Sequence, residues 1–441
     1  LNRVLTIPGD HRSRADLEAG QLAALRRVVA EVSGSNAFYR SRWGAAGFRP
    51  EFGSLEEFRD RFPFVRKHDL GVDQASHPPY GTNLTYPIER YIRCHGTSGS
   101  TGNPLRWLDT AESWEWMLGN WRRVYAAAGV GSADRLFFAF SFGPFLGFWT
   151  AFESALSLGC LCLPGGGLTS VARLRSILEQ QATVLCCTPT YAVHLGDVAR
   201  AEGIDLAAGR VRRVIVAGEP GGSLEGTRQA ITERWPGAKV SDHHGMTEVG
   251  PVSYECPVRP GVLHVIEDSY LAEIVDPCSG RPVGPGVEGE LVLTTLGRTG
   301  SPLLRYRTGD LVRARTEAGR CECGAWDLAL PGGILGRTDD MAVIRGVNVF
   351  PSAVEEVVRS VPGIAEYRAE VHSAGALLDL KILAELSMET GDAEAEAVVA
   401  VAKRLEEAFR TRLALRVTVE MVAAGTLPRF EMKARRWVRT A

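Results

Sequence analysis

The stretch His95-Gly96-Thr97-Ser98-Gly99-Ser100-Thr101-Gly102-Asn103-Pro104 decides how the rest of the chain is read. Its glycines permit close backbone approach and its hydroxyls and free amides donate hydrogen bonds, while nothing in it needs burial. Following the strand-like run Tyr91-Ile92-Arg93-Cys94, it reads as a phosphate-binding loop, with a flexible surface loop as the alternative. The spacing is not the Gly-x4-Gly-Lys-Ser/Thr of the common nucleotide-triphosphate loop, and no lysine closes it. The surrounding chain has to choose between the two.

Working outward, strands and helices alternate on both sides of the loop. Apolar spacing predicts an amphipathic helix from Ala15 to about Arg42, a second helical stretch from Phe52 to Leu70 broken at Pro63, and a long helix from Thr110 to Ala128. Strands are expected at Asp134–Phe140, Cys160–Leu163, Ala182–Cys187, Arg213–Ala217 and Lys239–His243, with helices between them. That alternation implies an α/β fold, a large N-terminal domain of mostly parallel sheet covered by helices on both faces. Ligands of such sheets sit beyond the carboxyl ends of the strands, where the glycine-rich turns fall. From Gly261 the texture changes to short alternating strands, which predicts a small antiparallel or barrel-like subdomain over 261–335. After Asp340 a renewed strand and helix pattern predicts a compact α+β domain of about 100 residues. The expected domains are 1–338 and a C-terminal 339–441, with the boundary at Arg337-Thr338-Asp339-Asp340.

Composition narrows the classes. A chain of 441 residues that is 45% hydrophobic can bury a large core, and 50 basic against 52 acidic residues leave a net charge of -2. Neither nucleic acid nor a membrane is expected as a standing partner, so any nucleotide should be a small ligand. The first residues, Leu1 to Pro8, lack the apolar core of a signal peptide, and a cytoplasmic location is expected. Nine cysteines, two of them adjacent at Cys186-Cys187, do not resemble a disulfide framework.

Several constellations carry chemistry. In His243-His244-Gly245-Met246-Thr247-Glu248 a carboxylate near a phosphate loop calls for a cation, which makes Glu248 a candidate Mg²⁺ ligand and Thr247 a phosphate contact. In Arg305-Tyr306-Arg307-Thr308-Gly309-Asp310 the carboxylate suits the hydroxyls of a ribose, although Gly-Asp is also an ordinary turn. Cys256, His264, Cys321 and Cys323 offer four tetrahedral ligands for a structural Zn²⁺, with Cys278 as a rival and free cysteines as the alternative. Phe142, Phe145 and Trp149 surround glycines in a turn that either fills a core or leaves room for a flat apolar substrate. The tail from Leu427 to Arg436 is either a basic solvent-facing end or the carrier of a mobile lysine, Lys433.

Taken in order, these motifs resemble the adenylate-forming, AMP-binding enzymes, specifically the branch of phenylacetate-CoA ligase-like aryl-CoA ligases and stand-alone adenylation enzymes, from about Phe38 to Lys433. The resemblance implies that a carboxylic acid is activated with ATP and Mg²⁺ to an acyl-AMP, with release of pyrophosphate. The acyl group then passes to the thiol of coenzyme A or, alternatively, to that of a separate acyl carrier protein. It further implies that Thr97, Ser98, Gly99, Ser100, Thr101 and Gly102 handle the ATP phosphates. Gly218, Glu219, Pro220, His243, His244 and Gly245 would line adenine and the acid pocket, with His244 where relatives often carry an aromatic ring. Asp310 matches the ribose carboxylate, Arg337 the arginine near ribose and phosphate, Asp339 the hinge of a mobile C-terminal domain, and Lys433 the adenylation lysine. Asn103 departs from the family, many members of which have lysine there. For the acid, Phe142, Phe145, Trp149 and Tyr191 argue for a small aromatic ring, with Cys187 or His244 recognising a ring substituent. A homodimer is compatible with the resemblance.

Overall fold

The computed structural model describes residues 13–97, 104–317, 319–338, 342–345, 347–374, 377–386, 395–429 and 436–439. Its centre is a five-stranded parallel sheet in the order Leu161–Pro164, Arg135–Phe138, Val184–Cys187, Arg213–Ala217, Lys239–His243. Because side chains alternate along a strand, each strand feeds two cores. Phe138, Cys186 and Ile215 pack on one face with Trp121, Tyr125 and Ala151 from the helices Ala111–Ala127 and Trp149–Ser157. Phe137, Leu185, Cys187 and Val216 pack on the other with Leu174, Leu195 and Trp235. Both faces are therefore dry, as the near-continuous apolar strands require.

The carboxyl ends of these strands open into loops. Thr188 caps the helix Pro189–Ala201 by accepting from the Tyr191 amide, and Gly218 takes a positive φ of 94° where the chain leaves Arg213–Ala217. The long helix of tryptophans is capped by Thr110 and divides its rings: Trp121 enters the sheet core, while Trp116 meets Tyr270 at 5.3 Å between ring centroids.

Between the parallel sheet and the C-terminal part lie two small antiparallel sheets. One is Ser253–Glu255, Val262–Val265 and Ala329–Pro331, and the other Tyr270–Val275, Glu288–Thr295, Tyr306–Arg313 and Gly336–Arg337. The N-terminal helices brace them. Gln21 donates to the carbonyls of Glu267 and Tyr270, and Tyr39 to that of Pro302. The single helix expected from Ala15 to Arg42 is two, Arg14–Ser35 and Ala37–Ala45. Asn36 sits in extended backbone between them, and its side chain accepts from the Tyr39 amide to start the second.

The last part of the chain forms a separate sheet in the order Val347–Val349, Ala342–Ile344, Leu377–Leu386, Ile364–Ala374, Trp437–Arg439, with Thr418–Val422 also paired to Leu377–Leu386. The helices Pro351–Arg359 and Ala395–Leu413 cover it, enclosing Val354, Val358, Tyr367, Ile382, Leu405 and Phe409 in a core of their own. The helix Pro351–Arg359 also lies against Glu225–Arg234 of the first part.

Candidate active site

The ends of the glycine-rich loop are fixed by a hairpin. Tyr91–Gly96 and Arg106–Thr110 pair antiparallel, the Thr97 amide donates to the Leu105 carbonyl at 3.0 Å, and the Thr97 hydroxyl accepts from the Leu105 amide at 3.1 Å. The Gly96 amide ties the hairpin to Pro144 at 2.7 Å. Ser98, Gly99, Ser100, Thr101 and Gly102 lie outside the described residues, as do Asp339 and Lys433.

Opposite the hairpin, the strand Lys239–His243 runs into the histidine turn. His243 is buried, its ring lies 4.3 Å from Trp121, and its Nδ1–H donates to the Ser253 carbonyl at 2.6 Å. Burial lowers its pKa from the usual 6.5 to about 3, so the ring stays neutral. His244 points elsewhere, as adjacent strand residues must. Its Nε2 is 3.0 Å from Asp310 Oδ2. Gly245 is required by space, because a Cβ there would come within 2.9 Å of the Gly250 carbonyl.

Asp310 lies on Tyr306–Arg313 directly across from Arg337 on Gly336–Arg337. Arg337 Nη1 donates to Asp310 Oδ1 at 2.9 Å, so one buried carboxylate faces a guanidinium and an imidazole. Three sequence candidates thus meet at one point.

Thr247 and Glu248 are set by residues that motif reading missed. The Arg298 side chain is fully buried and makes a two-pronged pair with Asp109, Nε to Oδ1 and Nη2 to Oδ2, each at 2.7 Å. Its remaining nitrogen, Nη1, donates to the carbonyls of Thr247 at 2.8 Å and Glu248 at 2.7 Å. Since Asp109 stands on the strand that follows the glycine-rich loop, one guanidinium fixes the loop's hairpin relative to the Thr-Glu turn. The Glu248 carboxylate in turn faces Lys67 Nζ at 3.2 Å. No local pattern marks Arg298, and Lys67 reads as the start of a helix, because their partners lie far off in sequence.

The expected acid pocket is not assembled as one group. Phe142 packs edge-on to Trp149 at 4.7 Å and beside Phe140 at 5.0 Å, and Phe145 occupies the same turn, next to Gly143. Cys187 and Tyr191 belong to the core on the opposite face of the sheet. Tyr191 is buried there, its hydroxyl accepting from Arg173 Nη1 at 2.5 Å and lying 3.0 Å from Ser170 Oγ. The period-two alternation of the strand Val184–Cys187 sends Cys187 away from the aromatic turn. Glu219 is also turned outward from its own loop: Oε1 accepts the Thr190 amide at 2.9 Å, at the start of Pro189–Ala201, while Pro220 follows it exposed.

A second centre lies apart, in the antiparallel sheets. The ligand atoms of Cys256, His264, Cys321 and Cys323 all fall within 4.8 Å of one another. Cys256 and Cys321 Sγ are 3.8 Å apart, and Cys323 Sγ is 3.5 Å from His264 Nε2. His264 Nδ1–H donates to the Asp327 carbonyl at 3.1 Å, which leaves Nε2 as the free lone pair. Cys278 is exposed and outside this cluster.

Known proteins resemble the chain over nearly its whole length. Residues 97–297 match the AMP-binding enzyme family and residues 346–440 the AMP-binding enzyme C-terminal domain. A phenylacetate-coenzyme A ligase of Thermus thermophilus is 34% identical over 434 residues, covering 95% of each chain. A solved structure of 2-hydroxyisobutyryl-CoA ligase in the postadenylation state, in complex with 2-HIB-AMP, superposes with a TM-score of 0.92 at 30% identity, covering 97% of this chain and 90% of that one. The same ligase with 2-HIB-AMP and CoA in its thioesterification state, at the same coverage, gives 0.72. Two arrangements of that relative therefore differ, and the present structure has the first.

Two outcomes follow for stability. Between pH 6.5 and about 3 the unfolded chain protonates His243 while the folded chain does not, so stability falls as pH drops through that window. A His243→Gln variant should lose less melting temperature than the wild type between about pH 7 and about pH 5. Arg298→Met strands a buried carboxylate and should cost about 3–5 kcal/mol in denaturant unfolding, whereas Arg298→Met with Asp109→Leu should recover most of it.

Proposed function

Because the chain belongs to the AMP-binding enzymes, as an AMP-forming acid–thiol ligase, we propose that its acid is small, flat and aromatic and that its site works as follows. The reaction is ATP-dependent activation of a carboxylic acid to acyl-AMP, then transfer of the acyl group to coenzyme A. The observation that carries the reading of the site is the convergence of His244 and Arg337 on the Asp310 carboxylate, His244 standing four residues before Glu248 in the same turn.

Asp310 accepts the ribose hydroxyls, and Arg337, already aimed at it, adds positive charge beside ribose and phosphate. Gly218 to Pro220 and His243 to Gly245 border adenine and the acid. Thr97 to Gly102 cradle the ATP phosphates, with Thr247 supplying a hydroxyl. Glu248, a carboxylate beside hydroxyl and phosphate oxygens, is the hard-oxygen donor that would hold Mg²⁺, which when bound offsets charge on the phosphates. The substrate carboxylate attacks the α-phosphorus in line and pyrophosphate leaves. Lys433 neutralises oxygens that otherwise repel each other. A turn about Asp339 then removes Lys433, the thiol attacks the acyl carbon, and AMP leaves.

Phe142, Phe145 and Trp149 form the wall against which the ring of the acid lies; Cys187 and Tyr191 have no part in it. The phenylacetate-coenzyme A ligase relatives favour an aromatic acid, and the 2-hydroxyisobutyryl-CoA ligase makes a short hydroxy acid the competing substrate.

Cys256, His264, Cys321 and Cys323 would hold a structural Zn²⁺. A tetrahedron with Zn–S of about 2.3 Å and Zn–N of about 2.0 Å has edges of about 3.8 Å between sulfurs and about 3.5 Å from sulfur to nitrogen. The distances between Cys256 and Cys321 and between Cys323 and His264 have those values. With four protein ligands such a metal would be closed to substrate and would pin loops.

ATP–pyrophosphate exchange across aryl, amino-aryl and short aliphatic hydroxy acids should be fastest with an aryl acid; exchange with the aliphatic acids alone sinks the aromatic assignment. Lys433→Ala should slow acyl-AMP formation by about 10²-fold or more while ATP binding persists. Elemental analysis should find one zinc per chain, and Cys321→Ser should lose both the metal and several degrees of melting temperature.

A further inference from the structure

The contact between the two parts of the chain turns on a residue without a side chain. Gly226 is the second residue of the helix Glu225–Arg234, a place where alanine would stabilise the helix. A Cβ built there would lie 2.8 Å from Arg359 Cβ and 3.6 Å from the Arg359 carbonyl carbon, at the end of the helix Pro351–Arg359. Those atoms belong to the root of the Arg359 side chain and its backbone, so no rotamer change relieves the clash. The rest of Arg359 is also anchored: Nε donates to Glu355 Oε1 at 2.9 Å, Nη1 donates to the Ala365 carbonyl at 3.3 Å, and the guanidinium lies over Tyr367.

A second contact crosses the same interface. Arg436 pairs with Glu366 and Glu355 inside the C-terminal part, and its Nη1 donates to the Thr190 hydroxyl at 3.3 Å. Burial works to raise the Glu355 carboxyl, yet the charges of Arg436 and Arg359 outweigh it and pull it down to about 2, so Arg436 is firmly held. Thr190 is the residue whose amide Glu219 accepts, which connects Arg436 to the Gly218-Glu219-Pro220 loop.

We propose that Gly226 is a notch that admits Arg359 only in this docked arrangement, and that the notch and the Arg436–Thr190 hydrogen bond together select the arrangement used for acyl-AMP formation. The proposal rests on the reading that the C-terminal part turns between half-reactions. Filling the notch penalises one arrangement and leaves the other untouched, so the two half-reactions respond differently. Gly226 and Thr190 act as positioning residues.

The test measures the half-reactions separately in the full chain. Acyl-AMP formation is followed by pyrophosphate exchange, and thioester formation is started from supplied acyl-AMP and CoA. Gly226→Val should slow exchange by about tenfold or more and leave thioester formation within about twofold, with no fall in melting temperature. Thr190→Val should slow exchange by a smaller factor in the same direction. Gly226→Ala, which adds only the Cβ, should slow exchange in the same direction by a smaller factor than Gly226→Val. Equal slowing of both half-reactions by Gly226→Val, or unchanged exchange, overturns the proposal. Wild-type protein that supports no exchange with any acid would instead overturn the functional reading beneath it.

Discussion

A single guanidinium with no access to water holds the site's parts in register. Arg298 gives both edges of its fork to Asp109 and its last nitrogen to two backbone carbonyls. Desolvating a charge pair is expensive, and it is tolerated only when geometry and hydrogen bonds are complete. The fixed geometry is the useful product. The glycine-rich hairpin and the Thr247–Glu248 turn come from segments far apart in sequence, and a soft apolar contact would let them slide. A directional, fully desolvated pair does not.

The gross fold was legible because it rests on periodicity. Strands that are apolar throughout, separated by amphipathic helices, have few solutions other than a parallel sheet covered on both sides. Candidates for chemistry were legible where residue type alone suggests it within a short stretch, as in Thr247-Glu248 or the glycine-rich loop, whose roles are proposals. Arg298, Asp109 and Lys67 were not, since each looks like an ordinary surface charge until the chain folds and its partner arrives. The helix break at Asn36 was hidden for a related reason: the apolar spacing continues through it, and only its cap geometry reveals the stop.

The structure disperses the expected acid pocket and brings the four Cys and His side chains together, for opposite reasons. Tyr191 and Cys187 share residue type with a ring-binding pocket but not its place, because the two faces of the parallel sheet feed separate cores and these two side chains lie in the other one from Phe142. The four soft ligands, by contrast, share a chemistry demanding enough that wide sequence separation does not blur it. What sequence could not offer there is the Asp327 carbonyl that orients His264, a backbone group with no signature at all.

The bare position on the helix Glu225–Arg234 has a cost in another currency. A glycine inside a helix forgoes up to about 1 kcal/mol that alanine would return. Ordinary drift toward a sturdier helix is therefore closed at residue 226, because every replacement adds an atom where Arg359 lies. On the proposed role of Gly226, the chain keeps a weak spot where two of its parts meet, and attempts to stabilise the protein by strengthening its helices would reach this residue early and slow acyl-AMP formation.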